Sequence, residues 1–219
     1  VGYYTSLAAE AGMIGVGVVA GMPNMAYEGA RGAAVATSPL SIAVPAERHA
    51  TVLLDMATAV VALGKIRQYK NRGEQLPPGL AATKEGEPTT DPELAAVPLP
   101  LGGAKGSGMS LAFELLTSVL TGNAIVGAFH GGDKLHRQNA ALVALDVAAF
   151  APLDEFRRSV DETLDALKGL PRMDDAEEIR FPGERGARTE AERRAEGIPL
   201  PKKLWETLQA EAELLGVRG

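Results

Sequence analysis

One lysine stands among glycines where the chain is about to enter a helix. In "LPLGGAKGSGMSLAFELL", residues 99–116, Gly102, Gly103, Gly106 and Gly108 surround Lys105. Unpaired N–H groups and the positive dipole end make a helix start attractive to anions, and glycines admit a ligand close to the backbone. The spacing G-x-x-x-x-G-K-[ST] is absent, so this is no Walker loop. An anion site and a plain helix-start turn with an exposed lysine both fit these residues.

Two further segments carry usable chemistry. In "LLDMATA", residues 53–59, a strand ends at Asp55 and the chain is expected to turn at once into a helix, with Thr58 near its start. Asp55 reads either as an N-cap or as a carboxylate accepting from ribose hydroxyls. In "RFPGERGAR", residues 180–188, Pro182-Gly183 predicts a tight turn, Glu184 offers an acceptor, and the arginines could grip phosphate in bidentate fashion. A solvated, charged turn explains the same residues. His49, His130 and His136 sit in no metal-binding spacing, so no metal is expected. His49 reads as a hairpin-turn residue, and no G-x-S-x-G elbow supports a serine hydrolase.

The elements that must position these groups mix helix and strand. Helical spacing covers residues 3–11, and "MIGVGVV" (13–19) reads as a buried strand. Because a helix precedes it and its glycines fall in the wrong order, "GMIGVG" is not a Rossmann fingerprint. Two β-rich runs, 40–45 and 50–55, flank "AERH" as a hairpin. A helix is expected over 56–73, ended by Gly73, then a long Pro/Thr-rich loop over 77–100. An apolar helix runs to about residue 120, a strand covers 140–147, and an amphipathic helix covers 152–169 with Asp154 at its start. After residue 170 the chain becomes charged before a final helix. The expected fold class is α+β, a mixed or antiparallel sheet with helices packed on it. Residues 1–170 form the cofactor domain and 171–219 a C-terminal charged turn and helix.

Composition narrows the partners. A net charge of −6 without a basic stripe argues against nucleic acid. No apolar run reaches the roughly 18 residues a membrane span needs. A chain without cysteine suits a reducing cytoplasm.

Taken in order, "GYY…AAEAGMIG", "TSPLSIAVP", "LLDMATAVVALGKI", "PTTDP", "LPLGGAKGSGMSL" and "IRFPGER" resemble the malate/L-lactate dehydrogenase family of NAD(P)-dependent oxidoreductases, which is unrelated to Rossmann-type dehydrogenases. The resemblance implies that NAD or NADP is held by Asp55, Met56, Ala57, Lys105, Gly183, Glu184 and Arg185. It implies hydride transfer on a small 2-hydroxy or 2-oxo acid, or reduction of a cyclic imino acid, by a homodimer. A non-catalytic nucleotide-binding module is the other reading of the same loop. Three departures accompany the resemblance. Gly21 stands where a polar residue is common, and "YEGARG" (27–32) replaces a Pro-Trp/Phe-Gly-Gly segment. Of the family's His-x-Gly-x-x-Gly-Tyr-Tyr stretch only Gly2, Tyr3 and Tyr4 are present, so the catalytic histidine and an N-terminal helical part, against which 171–219 would pack, are expected upstream of Val1. This chain alone is then expected to turn over poorly.

Overall fold

The computed structural model describes residues 1–123 and 138–217. Helix α1 (Gly2–Glu10) leads into β1 (Met13–Ala20), followed by short strands β2 (Met25–Ala26) and β3 (Ala33–Val35). The hairpin β4 (Leu40–Val44) and β5 (Val52–Met56) comes next, then α2 (Leu63–Arg72). Strands β6 (Ala81–Ala82), β7 (Pro88–Thr89) and β8 (Val97–Pro98) precede α3 (Ala104–Glu114), whose last turn continues as a π-helix over Leu115–Val119. Strand β9 (Asn139–Asp146) and α4 (Leu153–Lys168) complete a compact unit, Val1–Gly183, and α5 (Glu184–Glu196) and α6 (Lys202–Leu214) form a second, Glu184–Gly219. Among the described residues no helix is long and apolar enough to cross a membrane.

The main sheet runs β5-β4-β1-β9, every pair antiparallel. Its centre is β1, and α1 lies so close to it that a Cβ on Gly15 would stand 2.4 Å from Thr5 O. That approach lets Thr5 Oγ1 share a 2.7 Å hydrogen bond with Ser41 Oγ of β4, both side chains fully buried. The glycines of "GMIGVG" therefore serve helix-on-sheet packing. Antiparallel pairing throughout gives the α+β class expected and, among the described residues, leaves no doubly wound half for a Rossmann site.

Three expectations need correction. The helix expected from residue 56 begins at Leu63 instead, because 57–62 is an irregular, bent stretch whose backbone bonds to distant segments. Thr58 N donates to Thr37 O at 3.0 Å, Val60 N to Leu99 O at 3.0 Å, and Ala59 bridges Pro100. Those bonds tie the segment to Thr37 and Leu99 and hold it out of a helical turn. Gly73 does end the helix, in the left-handed conformation at φ 66°. The long loop over 77–100 contains a three-stranded sheet, β7-β6-β8, around the buried Ala81 and Ala82. The charged turn after residue 180 opens a full helix, α5, whose alternating charges hid its periodicity.

The first unit also continues past residue 170, as far as Gly183. Leu53 N, on the outer edge of β5, donates to Pro182 O at 2.9 Å. Phe181, 3% exposed, meets the His49 ring edge-on with centroids 5.7 Å apart. His49 is thus more than a turn residue: its Nε2 lies 2.7 Å from Asp165 Oδ1 on α4. Beside it, the buried Asp161 accepts from the backbone N–H groups of Glu47, Arg48 and His49 at 3.3, 2.8 and 3.3 Å. Burial by itself would raise the Asp161 pKa, but those three donors and the Arg48 guanidinium outweigh it and hold the group below the ordinary 3.8.

A depressed carboxyl stabilises the fold above the unfolded-state pKa and loses that contribution as pH falls through the lower folded value. Asp161→Ala should therefore cost about 1–3 kcal/mol in urea unfolding at neutral pH, since it removes the acceptor of three part-buried backbone donors. The gap between variant and parent should narrow as the pH is taken below about 4.

Candidate cofactor site

Strand β5 is an edge strand, and its outer side and continuation gather the segments that the sequence marked. Asp55 pairs across to Ser41 on β4, and its Oδ2 accepts from Gly2 N at 2.7 Å. Its side chain is 37% exposed, so the carboxylate keeps acceptor capacity toward solvent. The N-cap reading of Asp55 does not hold, because no helix starts there: Ala62 is the N-cap of α2, without a side-chain cap bond. Met56 closes β5 and Ala57 follows it.

Thr58, expected near a helix start, is instead 1% exposed and sits between two loops. Its carbonyl accepts from Leu101 N at 2.8 Å, which docks the glycine loop onto the continuation of β5. Gly106 makes this possible: a Cβ there would lie 2.4 Å from both Leu101 N and Thr58 O. Gly102 and Gly103 turn the chain at φ 58° and 60°, where other residues are strained. Lys105 then lies in the first turn of α3, its stem over Gly102, exposed, and in no ion pair among the described residues. At the other end of β5, a Cβ on Gly183 (φ 92°) would come within 2.9 Å of Leu53 N. Asp55, the Lys105 loop and Gly183 are thus assembled on one strand and its extension.

Glu184 and Arg185 begin α5 in the second unit. Glu184 is buried and pairs with Arg188 one turn on, and Arg185 lines an open depression on α5 with Thr189 and Arg193. Gly21, after β1, faces Gln138, whose Cγ would be 3.2 Å from an added Cβ. His130 and His136 lie outside the described residues. No group of His, Asp and Glu suited to a metal occurs among the described residues.

Sequence reasoning missed a cleft of about 600 Å³ beside the glycine loop. Tyr27, Glu28, Arg31, Leu99, Gly102 and Gly103 line it. Glu28 N donates to Ser107 Oγ at 2.9 Å, tying the 27–32 segment to α3. Ser110, one turn further, donates to Ala36 O at 2.8 Å. Serines three apart share a helix face, so the packed face of α3 is Gly106, Ser107 and Ser110, all buried, whereas Leu115, Leu116 and Leu120 are exposed. A search for apolar periodicity follows the leucines and overlooks that face. The one legible hint was "YEGARG", which puts a carboxylate and a guanidinium beside glycines.

An antiparallel sheet carrying a lysine-bearing glycine loop, with a partly open carboxylate on its edge strand, belongs to a class apart from doubly wound dehydrogenases. Comparison with known proteins gives the same class. The family described as malate/L-lactate dehydrogenase matches residues 1–209. Malate dehydrogenase of Pyrococcus horikoshii is 34% identical over 233 residues, covering 100% of this chain and 63% of that protein. A Pseudomonas putida Δ1-pyrroline-2-carboxylate/Δ1-piperideine-2-carboxylate reductase is 32% identical over 217 residues, covering 95% and 60%. The solved sulfolactate dehydrogenase of Methanocaldococcus jannaschii superposes with a TM-score of 0.84 at 34% identity, covering 99% of this chain and 63% of that one. The chain belongs to the malate/L-lactate dehydrogenase family and spans less than two thirds of the length of these relatives.

Two glycines of α3 test the docking of the loop. Gly106→Ala should lower stability by more than about 2 kcal/mol, because backbone on both sides would have to move. Gly108→Ala, with open space around its Cβ, should raise it by about 0.5–1 kcal/mol through helix propensity. Thermal melts of the two variants beside the parent read both outcomes.

Proposed function

We propose that this chain forms the nicotinamide-dinucleotide site of an oxidoreductase acting on a small 2-hydroxy or 2-oxo acid. The observation that carries the reading is the convergence just described: carboxylate, glycine loop with lysine, and a second glycine turn, all anchored to β5. The residues suit a dinucleotide. Lys105 supplies an exposed cation for phosphate, and Gly102 and Gly103 present backbone without side chains to obstruct it. The free acceptor positions of Asp55 suit ribose hydroxyls, with Gly2 N holding that carboxylate in place. Met56 and Ala57 extend the same strand edge as apolar contact. Bound there, the dinucleotide would supply hydride acceptance and donation, the chemistry no side chain can perform.

What the chain itself contributes is binding and orientation. His49 is engaged with Asp165 and Phe181 at the β4–β5 turn, so its ring is committed to holding that turn. An imino-acid substrate is the second reading, favoured by the 32% identity to the Pseudomonas putida reductase. Both substrates need the same dinucleotide and differ in whether the hydride joins carbon across a C=O or a C=N bond.

Titration of the purified chain with NADH or NADPH, followed by cofactor fluorescence, tests the reading. Saturable binding is expected. Lys105→Ala should weaken it about tenfold or more, the loss of one charge-assisted hydrogen bond to phosphate. Asp55→Asn should weaken it several-fold with little change in melting temperature. No fluorescence change up to millimolar cofactor would refute the proposal.

A further inference from the structure

The cleft beside the glycine loop holds a carboxylate that the site described so far does not use. A Cβ on Gly103 would lie 3.0 Å from Glu28 Oε1 and 3.6 Å from Oε2, so the whole carboxylate rests against this glycine. On the neighbouring glycine, the stem of Lys105 passes 3.5 Å from where a Gly102 Cβ would be. The Lys105 stem and the Glu28 carboxylate therefore lie against adjacent glycines. The 2.9 Å bond from Glu28 N to the fully buried Ser107 Oγ fixes the backbone that carries the carboxylate. Tyr27 and Leu99 add apolar wall to the same cleft, whose volume of about 600 Å³ is ample for a nucleoside.

A phosphate next to a vicinal diol is the ligand chemistry that matches this order of groups. Lys105 attracts the phosphate, Glu28 accepts from ribose hydroxyls, and the glycines let both approach. We propose that this cleft receives the adenosine half of the dinucleotide and that Glu28 selects NAD over NADP. The inference rests on the dinucleotide reading above and adds to it the place of the adenosine and the residue that discriminates. A phosphate on the 2′-oxygen would bring two negative charges toward the Glu28 carboxylate and remove the hydroxyl donor it would otherwise accept from. Arg31 lines the same cleft, but its stem lies over Gly86, with Cα and Cγ each 3.2 Å from an added Cβ, and not on the glycine pair beside Lys105.

Calorimetric titration of the purified chain with NAD, NADP, 5′-AMP and 2′,5′-ADP tests this without any turnover. The parent should favour NAD over NADP, and 5′-AMP over 2′,5′-ADP, by about tenfold or more. Glu28→Gln and Glu28→Ala should bring both ratios to within about threefold, mainly by tightening the 2′-phosphorylated ligands. Melting temperatures should stay those of the parent, because Glu28 is exposed. Lys105→Ala should weaken all four ligands while leaving the ratios in place. If all four bind and neither Glu28 variant moves the ratios, the role of Glu28 is overturned and the dinucleotide reading survives. A parent that prefers NADP, with Arg31→Ala abolishing that preference, overturns it too and places selection on Arg31. Binding of the dinucleotides without measurable binding of either adenosine fragment overturns the placement of adenosine in the cleft. Failure of all four to bind overturns both this inference and the reading it rests on.

Discussion

The carbonyl of Thr58 accepts a hydrogen bond from Leu101 N at 2.8 Å, and Gly106 leaves it just enough room to do so. Through that contact the segment after β5 stays irregular, when its local sequence would otherwise begin a helix. It also sets where α3 starts, and with it where Lys105 stands relative to the strand carrying Asp55. The close backbone approach at Gly106, with the Val60 N bond to Leu99 O beside it, fixes the glycine loop on the continuation of β5.

The same economy of side chains recurs around the site. Gly15 lets α1 settle on β1, which puts Gly2 N within reach of Asp55, and Gly183 crosses Leu53 at the outer edge of β5. In each case a missing Cβ allows backbone to meet backbone, and polar groups are then satisfied by their neighbours: Thr5 with Ser41, Ser107 with Glu28 N, Ser110 with Ala36 O. Glycine and small hydroxyl residues, more than large apolar ones, hold the elements around this site. A buried hydroxyl with a partner costs little, and one without a partner would cost on the order of 1–3 kcal/mol, so these pairs specify register as well as stability.

A second clamp works from the far side of the hairpin. Asp161 gathers three backbone donors of the β4–β5 turn, and His49 reaches both Asp165 and Phe181. Phe181 leads into Pro182 and Gly183, so helix α4, the hairpin turn and the last segment of the first unit are tied at one point. The strand that bears Asp55 is thereby held along its outer edge by Pro182 O and at its turn by α4.

Much of this was legible from residue order alone. The apolar run of β1, the hairpin around "AERH", the stop at Gly73 and the lysine loop opening a helix are local signals, and local signals survive without a fold. The family resemblance was carried by motifs of the same kind. What the chain could not reveal by itself were choices settled between distant segments. Residues 57–62 have helical neighbours, yet they pair with Thr37, Leu99 and Leu101, because backbone hydrogen bonds across the fold outweigh a propensity worth tenths of a kcal/mol per residue. Asp55 looks like a cap and is a strand residue; Glu28 looks like loop charge and rests on a glycine 75 positions away in sequence. Residue types declared which groups were capable of chemistry. Only close packing of backbone at Gly15, Gly106 and Gly183, a property of three-dimensional approach that no linear spacing encodes, decided which of them would meet.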